Sequence, residues 1–253
     1  MKIKFLGTGT STGVPELGCV CPVCTSNDPR DHRLRTSALV ETDGGKNILI
    51  DCGPDFRQQM LQFGFSFFRT VLLTHEHYDH VGGLDDLRPY NLLGRTAVYA
   101  DVVCARHLKQ RLPYCFHKKL YPGVPLLELH VVVPGKPFRI GDEEVLPFEV
   151  MHGGMPILGY RIGRMVYITD LSAISDEVVE ELKGVPFLVI NALRDYPHHS
   201  HQTLEEALDL ADRLEAQEAY FIHMSHRIGL HADVDRQLPP HRHLAYDGLE
   251  VHF

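Results

Sequence analysis

Short apolar, β-branched segments recur along this chain and alternate with stretches of helical spacing. Residues 3–6 predict a first strand. Residues 37–42 and 47–50 predict a hairpin around Asp43-Gly44-Gly45, a strong turn signal. Residues 70–74 predict a buried strand, because the segment is apolar and β-branched. Such alternation indicates a layered α/β domain.

The second half of the chain continues this alternation. Further strands are predicted at residues 145–151, 158–162, 165–169, 187–190, 219–222 and 249–253. Helical spacing over 54–63 predicts a helix, and Thr203 with Glu206 predicts the capped start of another. A short helix is expected at 230–238.

The stretch 84–148 carries no sharp motif. It predicts a short strand at 97–100, a helix from Asp101 and a strand-rich region from 127 to 150. Its side chains with functional groups are more readily explained as surface or core residues than as pocket lining.

Composition narrows the class of protein. The 253 residues suit one α/β domain or two small ones, and 44% hydrophobic with 23% charged residues is typical of soluble globular proteins. A net charge of −8 argues against a broad nucleic-acid-binding face. No apolar stretch approaches the roughly 20 residues of a membrane helix, and the N-terminus does not resemble a signal peptide. We therefore expect a cytoplasmic location.

The candidate chemistry centres on the hexapeptide His75-Glu76-His77-Tyr78-Asp79-His80, which follows the strand predicted at 70–74. Imidazole and carboxylate ligands together favour zinc, manganese or iron over calcium. The alternative is a solvated polar loop, but metal-ligand types at such close spacing directly after a strand favour a metal site.

Three thiols lie close together at Cys19, Cys21 and Cys24. Structural zinc sites require four ligands, so this interpretation requires a distant fourth residue. The alternative is three free or redox-active thiols. The glycine-rich loop at 7–15 permits a phosphate cradle, although a tight loop passing near the site is the favoured interpretation.

The HxHxDH pattern after an apolar strand resembles the signature of the metallo-β-lactamase-fold hydrolases. The resemblance implies one domain over residues 1–253, a four-layer αββα sandwich of two mixed β-sheets flanked by helices, with metals at one edge of the sheets. Three further features are similar to the phosphoribosyl cyclic phosphodiesterases of phosphonate breakdown: the thiol trio, His226 placed three residues after His223, and His201 just before the late helix.

With this resemblance, the ligands divide into two active-site sets and one closed site. His75, His77 and His152 are expected to hold one divalent metal, and Asp79, His80 and His223 the other; both metals are manganese or zinc. The resemblance implies that Asp170 bridges them and that Asp51 orients a ligating histidine. The alternative for Asp170, taken on its own, is the cap of a helix over 171–174. Cys19, Cys21, Cys24 and His226 are expected to form a structural zinc site.

The predicted function is a metal-dependent phosphodiesterase that uses a hydroxide generated by the metal pair. Its substrate is expected to be a small cyclic phosphate or nucleotide-like ester such as phosphoribosyl 1,2-cyclic phosphate. Asp79 and His201 are the predicted catalytic residues, with His201 as general acid. The alternatives are a hydrolase of a thioester, lactone or other acyl substrate, and a non-catalytic binding protein.

The expected partners follow from this interpretation. They are a small anionic phosphodiester and, by the resemblance, a second copy of the chain in a homodimer. No extended nucleic-acid surface and no membrane contact are expected.

Overall fold

Two seven-stranded sheets form the centre of this computed structural model, which describes residues 1–253. The first sheet contains, in spatial order, β14 (Glu250–His252), β1 (Lys2–Gly7), β2 (Ser37–Glu41), β3 (Asn47–Ile50), β4 (Thr70–Leu72), β5 (Thr96–Ala100) and β6 (Leu127–Val131). The second contains β13 (Arg242–Leu244), β12 (Glu218–Ile222), β11 (Phe187–Asn191), β10 (Met165–Ile168), β9 (Met155–Ile162), β8 (Glu143–His152) and β7 (Phe138–Ile140).

Six α-helices complete the fold. They are α1 (Phe56–Phe63), α2 (Tyr78–Val81), α3 (Val102–Arg111), α4 (Asp176–Leu182), α5 (Leu204–Arg213) and α6 (His231–Asp235). Short 3-10 helices lie at Pro29–Asp31, Leu84–Leu93, Pro113–Cys115 and His226–Ile228. Side chains of Asp101 and Thr203 cap α3 and α5, and Thr203 with Glu206 forms the predicted capping box.

Three apolar clusters define the layers. The central cluster joins the facing sides of the two sheets, for example Phe5 and Ile50 with Tyr160 and Val189. A second cluster packs α4 and α5 on the outside of the second sheet, and a third packs α1 and α3 on the outside of the first. Helix, sheet, sheet and helix therefore follow one another, which confirms the predicted αββα sandwich of mixed sheets.

Strand direction determines where the functional residues meet. Strands β3 to β6 are parallel in the first sheet, and β10 to β13 are parallel in the second. Strand β8 runs in the same direction as β10, because both are antiparallel to β9. The carboxyl ends of these strands thus share one edge of their sheet, the usual place for a site in α/β folds.

The observed elements agree with most of the sequence predictions. The hairpin of β2 and β3 and the helices α1, α3 and α5 lie where they were expected. The sequence reasoning missed β13, α4 and the 3-10 helix Leu84–Leu93. No helix covers residues 171–174, so the capping alternative for Asp170 is wrong.

None of the helices combines the length and the apolar character required to cross a lipid bilayer.

Candidate metal centre

The predicted ligands meet where strands from both sheets end. The hexapeptide starting at His75 follows β4, His152 is the last residue of β8, Asp170 follows β10 and His223 follows β12. Each strand therefore delivers one short polar segment to the same edge. Helix α2 begins at Tyr78 and turns Asp79 and His80 back toward the two sheets.

The backbone at three of these strand ends adopts a left-handed conformation. Asp51, Asp170 and His223 have φ angles of 57°, 55° and 55°. Residues other than glycine rarely adopt this conformation, which costs on the order of 1–3 kcal/mol each and is concentrated at functional sites. The strained turns redirect these side chains from the strand axis into the cluster.

The first set contains His75, His77 and His152, whose potential ligand atoms all lie within 4.8 Å of one another. Nε2 of His75 lies 3.0 Å from Nδ1 of His77. Nδ1 of His152 lies 2.8 Å from the backbone carbonyl oxygens of both Asp170 and Ser200. Since Nδ1 donates to these carbonyls, the Nε2 lone pair of His152 is left to ligate a metal.

The second set contains Asp79, His80, Asp170 and His223, and all four residues are buried. Nε2 of His80 lies 3.2 Å from Asp79 Oδ2 and 3.3 Å from Asp170 Oδ2. Nε2 of His223 lies 3.2 Å from Asp170 Oδ1. Asp170 also belongs to a group with His152 of the first set, so its carboxylate lies between the two sets, as expected of a bridging carboxylate.

Electrostatics favour an ionised Asp170 and a neutral His75, and they concentrate negative charge around His80. Burial opposes ionisation of Asp170, but His223 and His80 outweigh it and hold the pKa of Asp170 well below its usual value. Burial lowers the pKa of His75 and keeps it neutral. Burial also opposes protonation of His80, yet Asp79 and Asp170 raise its pKa well above the usual value. The carboxylates of Asp79 and Asp170 thus favour a positive charge beside His80, which a divalent cation would supply.

The residues fit a pair of divalent metals. The buried nitrogens His80 Nε2, His223 Nδ1 and His223 Nε2 have no hydrogen-bond partner. Unpaired buried polar atoms are costly and require an explanation, and a bound ion is one. Neutral imidazoles together with shared carboxylates are the ligands that zinc and manganese bind in two-metal sites.

His201 lies at the margin of this cluster, just before α5. Its Nε2 lies 3.1 Å from Asp170 Oδ1. Together with His152 and Asp170 it forms another group with ligand atoms within 4.8 Å. The geometry therefore permits either a further metal ligand or a proton donor beside the bridging carboxylate, and the predicted role as general acid stays a prediction.

A separate cluster unites the three cysteines with the end of β12. The potential ligand atoms of Cys19, Cys21, Cys24 and His226 lie within 4.8 Å of one another. The other ring nitrogen of the histidine has a partner available, since Nδ1 of His226 lies 3.1 Å from Glu16 Oε2. Three thiols and one imidazole make up the Cys3His ligand set of structural zinc sites.

The glycine-rich loop passes beside the metal cluster. Thr10 N donates to the carbonyl of Met224, and Met224 N donates to the carbonyl of Thr8, which anchors the loop next to His223. The sequence favoured a tight loop that passes near the site, and the structure agrees with that interpretation.

Sequence reasoning missed several residues that support the site. Thr74 donates to the Asp51 carboxylate from its backbone N at 2.8 Å and from Oγ1 at 2.9 Å. Ser200 contacts three of the histidines in this region. Neither Thr74 nor Ser200 belongs to a motif. The sequence signal for each was only its position directly before a predicted site residue, His75 or His201.

Comparisons with known proteins agree with this geometry. The chain matches the beta-lactamase superfamily domain over residues 46–224. An octanoyltransferase from Porphyromonas gingivalis is 51% identical over 252 residues, which are 99% of this chain and 51% of that protein. This chain thus spans about half the length of that relative.

Two further relatives cover most of both chains. Coenzyme PQQ synthesis protein B from Methylobacterium radiotolerans is 31% identical over 218 residues, which are 76% of this chain and 72% of that protein. The crystal structure of a diphosphatase from the PhnP family matches with a TM-score of 0.92 and 40% identity, and the match covers 100% of this chain and 96% of that chain.

Proposed function

This chain belongs to the beta-lactamase superfamily and has the fold of its metal-dependent hydrolases, and we propose on that premise that it is a phosphodiesterase. The proposed substrate is a small anionic phosphodiester, of which a phosphoribosyl 1,2-cyclic phosphate is one example. The observation that carries the proposal is the placement of His201 Nε2 at 3.1 Å from the carboxylate of Asp170.

The proposed ligands are the two sets that meet at the strand ends. His75, His77 and His152 would hold one divalent ion, Asp79, His80 and His223 the other, and Asp170 would contact both. When bound, two such ions ionise water near neutral pH and neutralise charge on a phosphoryl oxygen. Manganese and zinc both fit this donor set.

His201 supplies what the metal ligands do not. Loss of an alkoxide from phosphorus requires a proton on the leaving oxygen, and an imidazolium can donate one. Neither proposed ligand set includes His201, so its Nε2 is assigned this role in the proposal. Attack on an acyl carbon has less need of such an acid, because its tetrahedral intermediate is stabilised by the cations.

The relative of known structure supports phosphoryl chemistry. That protein is a diphosphatase, and its sequence is 40% identical to this one over the whole chain. A diphosphatase breaks a bond to phosphorus. Hydrolysis of a phosphodiester also attacks phosphorus and differs only in the leaving group.

The experiment is hydrolysis of bis(p-nitrophenyl) phosphate by protein loaded with manganese or zinc. We expect turnover that His80→Ala reduces at least about a hundredfold, since a metal ligand is lost. If wild-type protein with both metals bound showed no more turnover than His80→Ala, the proposal would be excluded. The role of His201 is tested with His201→Gln, which should lose about a hundredfold or more on alkyl leaving groups and much less on p-nitrophenolate.

A second candidate is hydrolysis of an acyl ester or thioester, and the name of the Porphyromonas gingivalis relative favours it. That name describes a protein about twice as long, so the transferase activity belongs to this chain only as a proposal. Octanoyl thioesters offered beside phosphodiesters separate the two candidates. Preference for the thioester, with no dependence on His201, would select the acyl hydrolase.

We further propose that Cys19, Cys21, Cys24 and His226 hold a structural zinc. The site would link the loop after β1 to the end of β12, two segments that are far apart in sequence. Such a link stabilises the folded state, because the site does not exist in the unfolded chain.

A further inference from the structure

The hydroxyl of Ser200 lies between two imidazole rings of the loop before α5. Its Oγ is 3.1 Å from Nδ1 of His201 and 3.3 Å from Nδ1 of His198. The rings of the two histidines meet edge to face, with centroids 5.1 Å apart. The hydroxyl thus contacts the edge of His201 opposite the one that faces Asp170.

Ser200 is itself held in place. Its backbone carbonyl accepts a hydrogen bond from His152 Nδ1 at 2.8 Å, and the residue is 8% exposed. Gly153 lies against it, since a Cβ at residue 153 would be only 3.3 Å from Ser200 Cβ. Because its backbone and Cβ are held in this way, Ser200 constrains its neighbours more strongly than a mobile residue would.

The hydrogen bonds define what each partner can do. The backbone N–H of Ser200 points to His198 Nδ1 at 3.4 Å, so this nitrogen presents a lone pair. The Ser200 hydroxyl can therefore donate to His198 while accepting from His201 Nδ1–H, an arrangement that provides every group with a partner. It can also turn and donate to His201 Nδ1.

The other contact of His201 is a weak anchor in the working enzyme. Nε2 faces Asp170, but this carboxylate also faces His80 and His223 and is the proposed bridging ligand. Bound cations would compete for its oxygens, and Nε2 must be free to donate to the substrate. The Nδ1 edge then remains available for a hydrogen bond that orients the ring, while the face of the ring stacks on His223.

We propose that Ser200 is the positioning residue for His201, and that its hydroxyl fixes the imidazole so that Nε2 is directed at the leaving oxygen of the substrate. This inference rests on the proposed function, because it assigns an orientation to the proposed general acid. Ser200 itself does not contact the substrate. Proton donors must be held within hydrogen-bond reach of the accepting atom, so loss of orientation reduces the rate.

The kinetic test compares wild type with Ser200→Ala on p-nitrophenyl, phenyl and alkyl phosphodiesters. We expect kcat to be within about twofold for p-nitrophenolate, which leaves without a proton, and to fall about tenfold or more for the poorer leaving groups. KM should not change. Ser172→Ala is the matched control, since Ser172 Oγ also supports the turn at Gly153, by accepting from its backbone N, but does not contact His201.

A second measurement does not require activity. Side-chain ¹⁵N spectra of the zinc-loaded protein, in which the metal is diamagnetic, report the hydrogen bonding of each imidazole nitrogen. Ser200→Ala should shift the His201 Nδ1 resonance, and Ser172→Ala should leave it unchanged.

The outcomes separate the two proposals. An unshifted His201 resonance, or an equal loss of kcat on every leaving group together with loss of metal, would overturn the positioning role. A different result would separate the contact from the proposed function. If Ser200→Ala shifts the resonance but His201→Gln reduces kcat equally for every leaving group, the contact is retained and the proposed function is refuted.

Discussion

The carboxylate of Asp51 lies 2.7 Å from Nδ1 of His80, and both side chains are fully buried. Asp51 accepts a hydrogen bond from Nδ1–H, so the Nε2 lone pair of His80 faces Asp79 and Asp170. The same carboxylate also accepts both hydrogen bonds from Thr74. One buried acid therefore selects the tautomer of a proposed ligand and fixes the strand end that precedes His75.

Asp51→Asn should weaken metal binding without unfolding the protein. The amide oxygen can replace Oδ1 as acceptor for Thr74 N, but the amide nitrogen then faces His80 Nδ1. His80 would shift its proton to Nε2, the nitrogen proposed to ligate. We expect about a 10–100-fold loss of affinity at one active-site metal. Metal titration followed by calorimetry measures it.

The exposed Asp142 provides a control for Asp51→Asn. Asp142→Asn changes the formal charge by the same amount away from the site and should bind metal as wild type does. Unchanged affinity in Asp51→Asn would remove the orienting role from this residue.

Chelation should distinguish the two kinds of metal site. The proposed zinc at Cys19, Cys21, Cys24 and His226 is closed, whereas the active-site ions have open positions. We expect roughly three metals per chain in untreated protein, of which one survives mild chelation. If no metal remained after this treatment, the result would contradict a closed site with four protein ligands.

Cys24→Ser should remove that resistant metal. We expect metal content to fall by about one per chain and Tm to fall by several degrees, because the link between the loop after β1 and the end of β12 is lost. Cys115→Ala is the comparison, since Cys115 is a buried thiol outside the cluster. It should lose packing energy but retain all its metal.

Much of the site was predictable because its ligands follow strands. A strand end is visible in the sequence as a change from apolar to polar residues, and His75, His152, Asp170 and His223 all lie at such changes. Local chemistry also predicted the capping box at Thr203. These signals require no knowledge of long-range contacts.

Other features depend on contacts that no local pattern encodes. The left-handed backbone of Asp51, Asp170 and His223 arises from tertiary packing, and the residue types alone would predict ordinary strand ends. Strand β13 escaped prediction because its three residues, Arg242–Leu244, are mostly polar and lie at a sheet edge. Ser200 became significant only when the structure placed two imidazoles beside it.

A buried histidine away from the proposed metal sites should make stability depend on pH. Nδ1 of His231 lies 3.2 Å from Nη2 of the buried Arg33 and accepts its hydrogen bond. Burial, together with this guanidinium, lowers the pKa of His231 to about 4. The unfolded chain binds the proton at about pH 6.5, so this part of the stability is complete above pH 6.5 and is lost as pH falls toward 4.

His231→Asn tests this dependence. The amide oxygen can accept from Arg33, and the amide does not titrate. Relative to this variant, wild type should lose on the order of 1–2 kcal/mol of unfolding free energy between pH 8 and pH 5. Urea denaturation of both proteins measures the difference, in which titration of other histidines cancels. A difference that stays constant with pH would refute the assignment.

Close backbone approach at Gly53 should be essential for the metal loop. A Cβ at residue 53 would lie 2.0 Å from the carbonyl oxygen of Asp79, well inside contact distance. The conflict is with backbone, which cannot move aside as a flexible side chain does. Gly53→Ala must therefore displace the segment that carries Asp79 and His80, at a cost of about 1–3 kcal/mol or more.

Because that segment supplies two proposed ligands of one ion, Gly53→Ala should lose metal and activity together. Gly154→Ala is the matched control: a Cβ at residue 154 has no neighbour within 4 Å, although this glycine lies two residues from His152. We expect the control to retain wild-type metal content and Tm. Calorimetry, metal analysis and phosphodiester turnover would be compared for both variants, and full metal binding by Gly53→Ala would show that the loop tolerates displacement.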